Sequence, residues 1–336
     1  MTQPVLSVRN LRVEFPTRRA RLVAIDDVSF DILPGEVLGM VGESGAGKSV
    51  TGTAIVGLIE PPGRIAGGEI RLSGMRIDNL EPAAMRRIRG KRIGMVFQDP
   101  LTSLDPLYRI GKQLIETIAT HSELRGAQVR GRAIALLSEV GIPAPEHRLD
   151  NYPHQFSGGM RQRVVLALAL AADPELVIAD EPTTALDVSV QAQIIALMKR
   201  LASRHRAAIL LITHDMGVIA EAADRVAVMY AGRIVEIGPV RDVVSAPLHP
   251  YTRGLMGSIP KLDGGLHRLV QIPGSMPRLT AIPSGCPFHP RCPRMFVPCP
   301  IHRPQLRPHA SAKVACWLYH PAPTGAETSG RFEGSP

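Results

Sequence analysis

Apolar and polar residues alternate along VLSVRNLRVEF (residues 5–15), the period of a strand with one face buried. AIDDVSFDI (24–32) predicts a second strand. The pattern then changes. GEVLGMVG (35–42) is a short apolar run that enters a glycine-rich loop, and KSVTGTAIVGLI (48–59) has helical spacing despite its glycines. IGMVF (93–97), ELVIAD (175–180) and AAILLITHD (207–215) are further short apolar runs with the length of buried strands. Helical spacing dominates from about Leu107 to Val140, and VVLALALAA (164–172) and VQAQIIALMKRLASRH (190–205) predict two more helices. RVAVMYAGRIVEIG (225–238) predicts a hairpin turning at Ala231-Gly232. Strands alternating with helices point to an α/β protein with a buried parallel sheet. An antiparallel sheet at the start and a helical insertion, about 101–165, are added to it.

Composition divides the chain once. From Arg241 to Pro336 there are 11 Lys/Arg against 4 Asp/Glu, 16 of the 30 prolines and all four cysteines. The expected organisation is a unit over 1–240, a Cys- and Pro-rich extension over 241–322 and a disordered polar tail over 323–336. No apolar run is long enough to span a membrane, and the opening residues lack the pattern of a secretion signal, so the expected compartment is the cytosol. The formal net charge of +9 admits nucleic acid, acidic lipid or phosphorylated ligands as partners.

The loop narrows these choices. GESGAGKS, Gly42-Glu43-Ser44-Gly45-Ala46-Gly47-Lys48-Ser49, matches G-x-x-x-x-G-K-[ST] and lies between a predicted strand and a predicted helix opening on Val50. Glycines let successive backbone N–H groups turn inward onto phosphate oxygens, and the helix N-terminus adds its positive end. Lys48 would reach the β- and γ-phosphates, and Ser49 would ligate Mg²⁺. In LVIADEP (176–182) an apolar strand ends in two acids. Asp180 would hold Mg²⁺ through its water shell, and Glu181 would orient or deprotonate a water aimed at the γ-phosphorus. His214 ends another apolar run and could donate to the γ-phosphate. Gln98 follows IGMVF and could ligate Mg²⁺ or position water. QFSGGMRQR (155–163) carries Ser157, Gly158 and Gly159 but no chemistry of its own.

In this order the pieces resemble the nucleotide-binding subunits of ABC transporters. GESGAGKS resembles Walker A, Gln98 the Q-loop glutamine, FSGGMRQR the signature motif, LVIADEP Walker B, Ala185–Asp187 the D-loop and His214 the switch histidine. One departure is visible, FSGGM where the signature usually reads LSGGQ. The resemblance implies a P-loop NTPase fold, with a RecA-like core, an antiparallel β subdomain and a helical subdomain. It also implies ATP shared head to tail between two cassettes, so that Ser157, Gly158 and Gly159 would cover the partner's ATP. An aromatic stacking on adenine is expected from the early strands, where Phe15 and Phe30 are the candidates.

PLHPYTRGLMGSIP (247–260) and IPGSMPRLTAIPSGCPFHPRC (272–292) resemble the C-terminal region of oligopeptide, dipeptide and nickel importers, and the signature is similar to the D-type ATPase subunit of those systems. The implied partners are a second, non-identical ATPase, two membrane permeases and, indirectly, an extracytoplasmic binding protein. Nucleic acid is not expected, and the implied location is peripheral, on the cytoplasmic face of the inner membrane. Peptides are the expected solutes, with nickel or another small solute as the alternative and a soluble nucleic-acid ATPase further behind.

Cys286, Cys292, Cys299 and Cys316 are spaced C-x5-C-x6-C-x16-C. A cytosolic setting disfavours disulfides. The tight C-x2-C knuckle common in zinc sites is missing, and the spacing alone leaves zinc, a [4Fe–4S] cluster and free thiols open. The resemblance favours the cluster, in a structural role.

Overall fold

A computed structural model describes residues 3–18, 20–99, 103–184, 186–258 and 271–321. The expected disordered tail, 323–336, lies outside the described residues. The chain runs β1 (Leu6–Pro16), β2 (Arg21–Ile32), β3 (Val37–Val41), α1 (Lys48–Ile55), β4 (Arg64–Leu72), β5 (Met75–Arg76), α2 (Pro82–Ile88) and β6 (Ile93–Val96). A helical stretch follows, α3 (Ile110–His121), α4 (Ala127–Glu139), α5 (Pro145–Arg148) and α6 (Gly158–Ala169). Next come β7 (Leu176–Asp180), α7 (Val188–His205), β8 (Ala208–Thr213), α8 (Met216–Ala222), β9 (Arg225–Tyr230) and β10 (Arg233–Pro239). The C-terminal part holds α9 (Val240–Ser245), α10 (Pro250–Gly257), α11 (Pro298–Ile301), β11 (Arg307–His309) and β12 (Ala312–Val314).

Two sheets organise these elements. A four-stranded antiparallel sheet has the order β2-β1-β4-β5, and an eight-stranded sheet has the order β11-β12-β10-β9-β3-β8-β7-β6. In the larger one, β9, β3, β8, β7 and β6 are mutually parallel, and β10, β12 and β11 add antiparallel edges. Every residue of β3, β7 and β8 is buried, as a parallel sheet covered on both faces requires. Along β8, Leu210 and Ile212 pack toward one core and Ile209 and Leu211 toward the other, the two-residue period of a strand. Each such side chain contributes roughly 1.5–3 kcal/mol of burial.

Local geometry trims the sequence expectations. The helix starting at Lys48 ends at Ile55, because Gly57 takes φ +63° and the N–H groups of Gly57 and Leu58 close back on the carbonyls of Ala54 and Thr53. The helical stretch 107–140 is two helices parted near Gly126, φ +55°. β4, β5 and α2 carry no clear apolar period; β4 is buried only at Ile70 and Leu72. The C-terminal region is not detached from the core sheet: β12 pairs with β10 through Glu236–Val314 and Ile237–Lys313.

Candidate functional site

Parallel strands place their C-terminal ends along one edge of a sheet, which is where α/β proteins form their clefts. Here β3 ends at the glycine loop, β7 at Asp180, β8 at Thr213 before His214, and β6 at Val96 before Gln98. Segments far apart in sequence therefore meet. The loop is shaped by close approach. A Cβ on Gly42 would lie 2.3 Å from the Met229 carbonyl oxygen, and Gly47 holds φ +103° against Ile25 of β2. Gly45, φ +83°, Ser44 and Ala46 complete the turn, Lys48 opens α1, and Val50 is half-buried in its first turn.

Buried Lys48 donates to the carbonyls of Gly42 at 2.8 Å and Glu43 at 3.2 Å. Burial pulls its ammonium below the ordinary lysine value, against the pull of Glu181 and Asp180. Ser49 Oγ donates to Asp180 Oδ1 at 3.0 Å, so these two oxygens flank one position suited to a hydrated Mg²⁺. Burial pushes the Asp180 carboxyl up, opposed by the Ser49 hydrogen bond. Glu181 has a left-handed backbone, φ +48°, and its N–H is fixed by the Ile212 carbonyl at 2.8 Å. Its carboxylate receives Gln98 Nε2 at 3.4 Å and Thr184 Oγ1 at 3.0 Å, with His214 Nδ1 3.2 Å away. Glu181 is thus the hub of the cluster, and Thr184 is a member that sequence reading missed.

Ser157, Gly158 and Gly159 stand elsewhere, at the start of α6. Ser157 caps that helix, its Oγ accepting the Met160 N–H at 3.3 Å. No described hydrogen bond joins the three to the Lys48 cluster. Ala185, the first residue of the D-loop expectation, lies outside the described residues; Asp187 caps α7. Phe30 is only 4 % exposed inside the antiparallel sheet, whereas Phe15 is half-buried opposite Leu22, which leaves Phe15 the better placed of the two for stacking.

The C-terminal extension closes on this site. Glu236 accepts the N–H groups of Leu248 and His249, both at 2.9 Å. The His249 ring, its pKa pulled to about 3 by burial, is neutral and accepts the Tyr251 N–H through Nδ1 at 3.1 Å. Cys286, Cys292, Cys299 and Cys316 are free and line one cavity of about 10 Å³, room for about one water-sized sphere. Burial pushes all four thiols up, Cys286 to about 12 and Cys316 to about 11. Among the described residues no group of three or more His, Cys, Asp or Glu is placed to hold a metal ion, so nothing in the structure supports the expected cluster or zinc. The donor chemistry suits a thiolate-held metal; the space between the thiols does not, unless they part.

A groove of about 540 Å³ beside Gln98 is lined by Val56, Leu58, Met95, Phe97, Val165 and Leu168, among others, with Phe97 45 % exposed. No helix among the described residues is long and apolar enough to cross a membrane.

Two family models match, "ABC transporter" over residues 25–184 and "Oligopeptide/dipeptide transporter, C-terminal region" over 235–299. The chain is 48 % identical over 318 residues to the dipeptide transport ATP-binding protein DppD of Bacillus subtilis, covering 94 % of this chain and 95 % of that one. It is 46 % identical to the oligopeptide transport ATP-binding protein AppD of the same organism, over 97 % and 99 %. Among solved structures, the dimeric post-hydrolysis cassette MJ0796 bound to ADP and Pi matches with a TM-score of 0.63 and 27 % identity, over 70 % of this chain and 99 % of that one. The cassette cbiO1 of Clostridium perfringens, part of an ABC transporter complex, also matches at 0.63 and 27 % identity, over 73 % and 92 %.

Proposed function

The chain belongs to the ABC transporter family, in the branch of peptide-import ATP-binding proteins, and from that premise we propose how its residues work. It is the ATP-binding and ATP-hydrolysing subunit of an importer that powers peptide uptake. The observation that carries this reading is the meeting of Lys48, Ser49, Asp180, Glu181, Gln98 and His214 at one sheet edge.

The loop from Gly42 to Ser49 cradles the triphosphate of MgATP, and Lys48 exchanges its two carbonyl partners for phosphate oxygens. Ser49 and Asp180, with Gln98 nearby, hold the substrate's Mg²⁺. Glu181 orients or deprotonates the attacking water, while Gln98, Thr184 and His214 fix its carboxylate. His214 touches the γ-phosphate and reports its loss. Phe15 stacks on the adenine. Replacing Glu181 by Gln keeps the hydrogen bonds but removes the base, so ATP binding persists while turnover at this site falls at least about a hundredfold, from the usual weight of a general base. Unchanged turnover in the assembled transporter sinks the assignment.

Ser157, Gly158 and Gly159 cover an ATP held by a second, non-identical ATPase subunit; that cassettes pair at all is supported by the dimeric MJ0796 relative. The groove beside Gln98 receives one of two membrane permeases, which keeps the chain peripheral on the cytoplasmic face, with the extracytoplasmic binding protein reached only through them. The division of the chain into a cassette over 1–240 and an extension over 241–322 is kept as a functional one.

The four cysteines hold a [4Fe–4S] cluster as a staple of the extension. All four line one cavity from separate segments and supply the thiolate donor set of that cluster, which they would hold only after parting. About four iron and four acid-labile sulfide per chain are expected in anaerobically purified transporter, by the composition of that cluster. Metal-free protein of full activity overturns it.

A further inference from the structure

The mechanism leaves unexplained why the extension touches the phosphate loop itself. Tyr251, on α10, is fully buried, and its Oη accepts the backbone N–H of Glu43 at 2.8 Å. Arg291, its side chain 8 % exposed, meets Glu43 Oε2 through Nη1 at 3.1 Å. The same guanidinium donates to the Pro273 carbonyl at 2.7 Å, the Gly274 carbonyl at 3.3 Å and Tyr230 Oη at 3.4 Å. The Tyr230 ring packs edge to face on both Tyr251 and Phe288, which are tilted against each other, with centroids 4.7 to 5.4 Å apart. Glu43, the second residue of the loop, is therefore held at its backbone and its side chain by residues 208 and 248 positions away.

We propose that Tyr251 and Arg291 are positioning residues of the ATP site, through which the C-terminal extension holds the phosphate loop in its binding shape by way of Glu43. The inference rests on the reading of that loop as the triphosphate site. Its physical content concerns what remains when Lys48 moves. Lys48 ties together the carbonyls of Gly42 and Glu43, and that tie is released when the ammonium turns to phosphate. Tyr251 and Arg291 hold the Glu43 peptide independently of Lys48, so the loop keeps its curvature and the other N–H groups stay aimed inward. A loop ordered before binding loses less conformational freedom on binding. Arg291 has a second effect. The Glu43 carboxylate sits on a loop that must receive a polyanion, and its Oε1 is buried without a hydrogen-bond partner. The guanidinium offsets that charge; without it the carboxylate repels the phosphates at short range.

The test uses the assembled transporter. Tyr251→Phe keeps the ring in its aromatic packing and removes only the acceptor oxygen. The KM for MgATP is expected to rise about three- to tenfold, the usual weight of one hydrogen bond to a buried N–H, with kcat within about twofold. Arg291→Met raises KM by more than Tyr251→Phe, Arg291→Lys recovers part of the loss, and Glu43→Gln added to Arg291→Met also recovers part of it, because the uncompensated charge is gone. A merely structural role does not produce that rescue. Unchanged KM in both single variants overturns the proposal, as does a loss in kcat and melting temperature that Glu43→Gln leaves untouched. If Lys48→Ala also leaves KM unchanged, the triphosphate reading of the loop fails instead.

Discussion

Asp180 carries two opposed demands on one carboxyl group. Its burial at the end of β7 raises its pKa, while the proposed Mg²⁺ role requires the charged form. In the window between the ordinary Asp value and the raised folded value, the folded chain binds more protons than the unfolded one. The contribution of Asp180 to stability therefore falls as pH rises through that window, and the full penalty is present above the raised folded value. Mg²⁺-dependent nucleotide binding runs the other way and is lost as pH falls into the same window. Asp180→Asn keeps an acceptor for Ser49 Oγ and removes the buried charge. The variant is expected to melt no lower than the parent without Mg²⁺, and to bind ATP in Mg²⁺ at least about 10–100-fold more weakly. Thermal melts with and without MgATP read both at once; a large drop in the ligand-free melting temperature contradicts the assignment. At this scale the residues named by motif were legible, because each motif encodes its own local geometry. Thr184, Tyr251 and Arg291 were not, since their roles arise from partners that no local pattern announces.

Among elements, legibility followed burial. β3, β7 and β8 are covered on both faces, so continuous apolar runs announced them. β1 and β2 showed alternation because one face of their sheet is covered. β4 mostly lies half-exposed, α2 is seven residues long, and β12 is three residues paired to β10; each is stabilised by neighbours more than by its own pattern. The stretch Leu248-His249-Pro250-Tyr251 shows how a motif can be noticed without its reason. Glu236 anchors its backbone, neutral His249 caps α10, and Pro250 fills the first helical position, where no N–H is needed. The result is a rigid seat for Tyr251, which explains the local residue types without reference to the transported solute.

The molecule as a whole presents one complete set of groups and one incomplete one. In the proposed function six side chains at the sheet edge hold the triphosphate, while Ser157 and Gly158 stand apart from them at the start of α6. The two glycines separate on packing grounds. A Cβ on Gly159 would lie 2.7 Å from Val190 Cγ1, so this chain itself demands a glycine there. On Gly158 a Cβ would meet nothing nearer than Leu186 Cδ2 at 3.7 Å, an ordinary contact, and its backbone is helical. Nothing among the described residues requires Gly158 to lack a side chain; in the proposed function it is the partner's ATP that approaches the start of α6. Gly158→Ala is accordingly expected to leave the isolated chain as stable as before, or more stable by up to about 1 kcal/mol from lost unfolded-state freedom. In the assembled transporter the same methyl group crowds the γ-phosphate held by the partner ATPase, and turnover is expected to fall at least about tenfold, since a misplacement of 1 Å can cost a hundredfold. Melting curves of the isolated chain, set beside ATPase rates of the full assembly, separate the two effects. Full turnover with the methyl in place would mean that no partner phosphate comes within contact of α6.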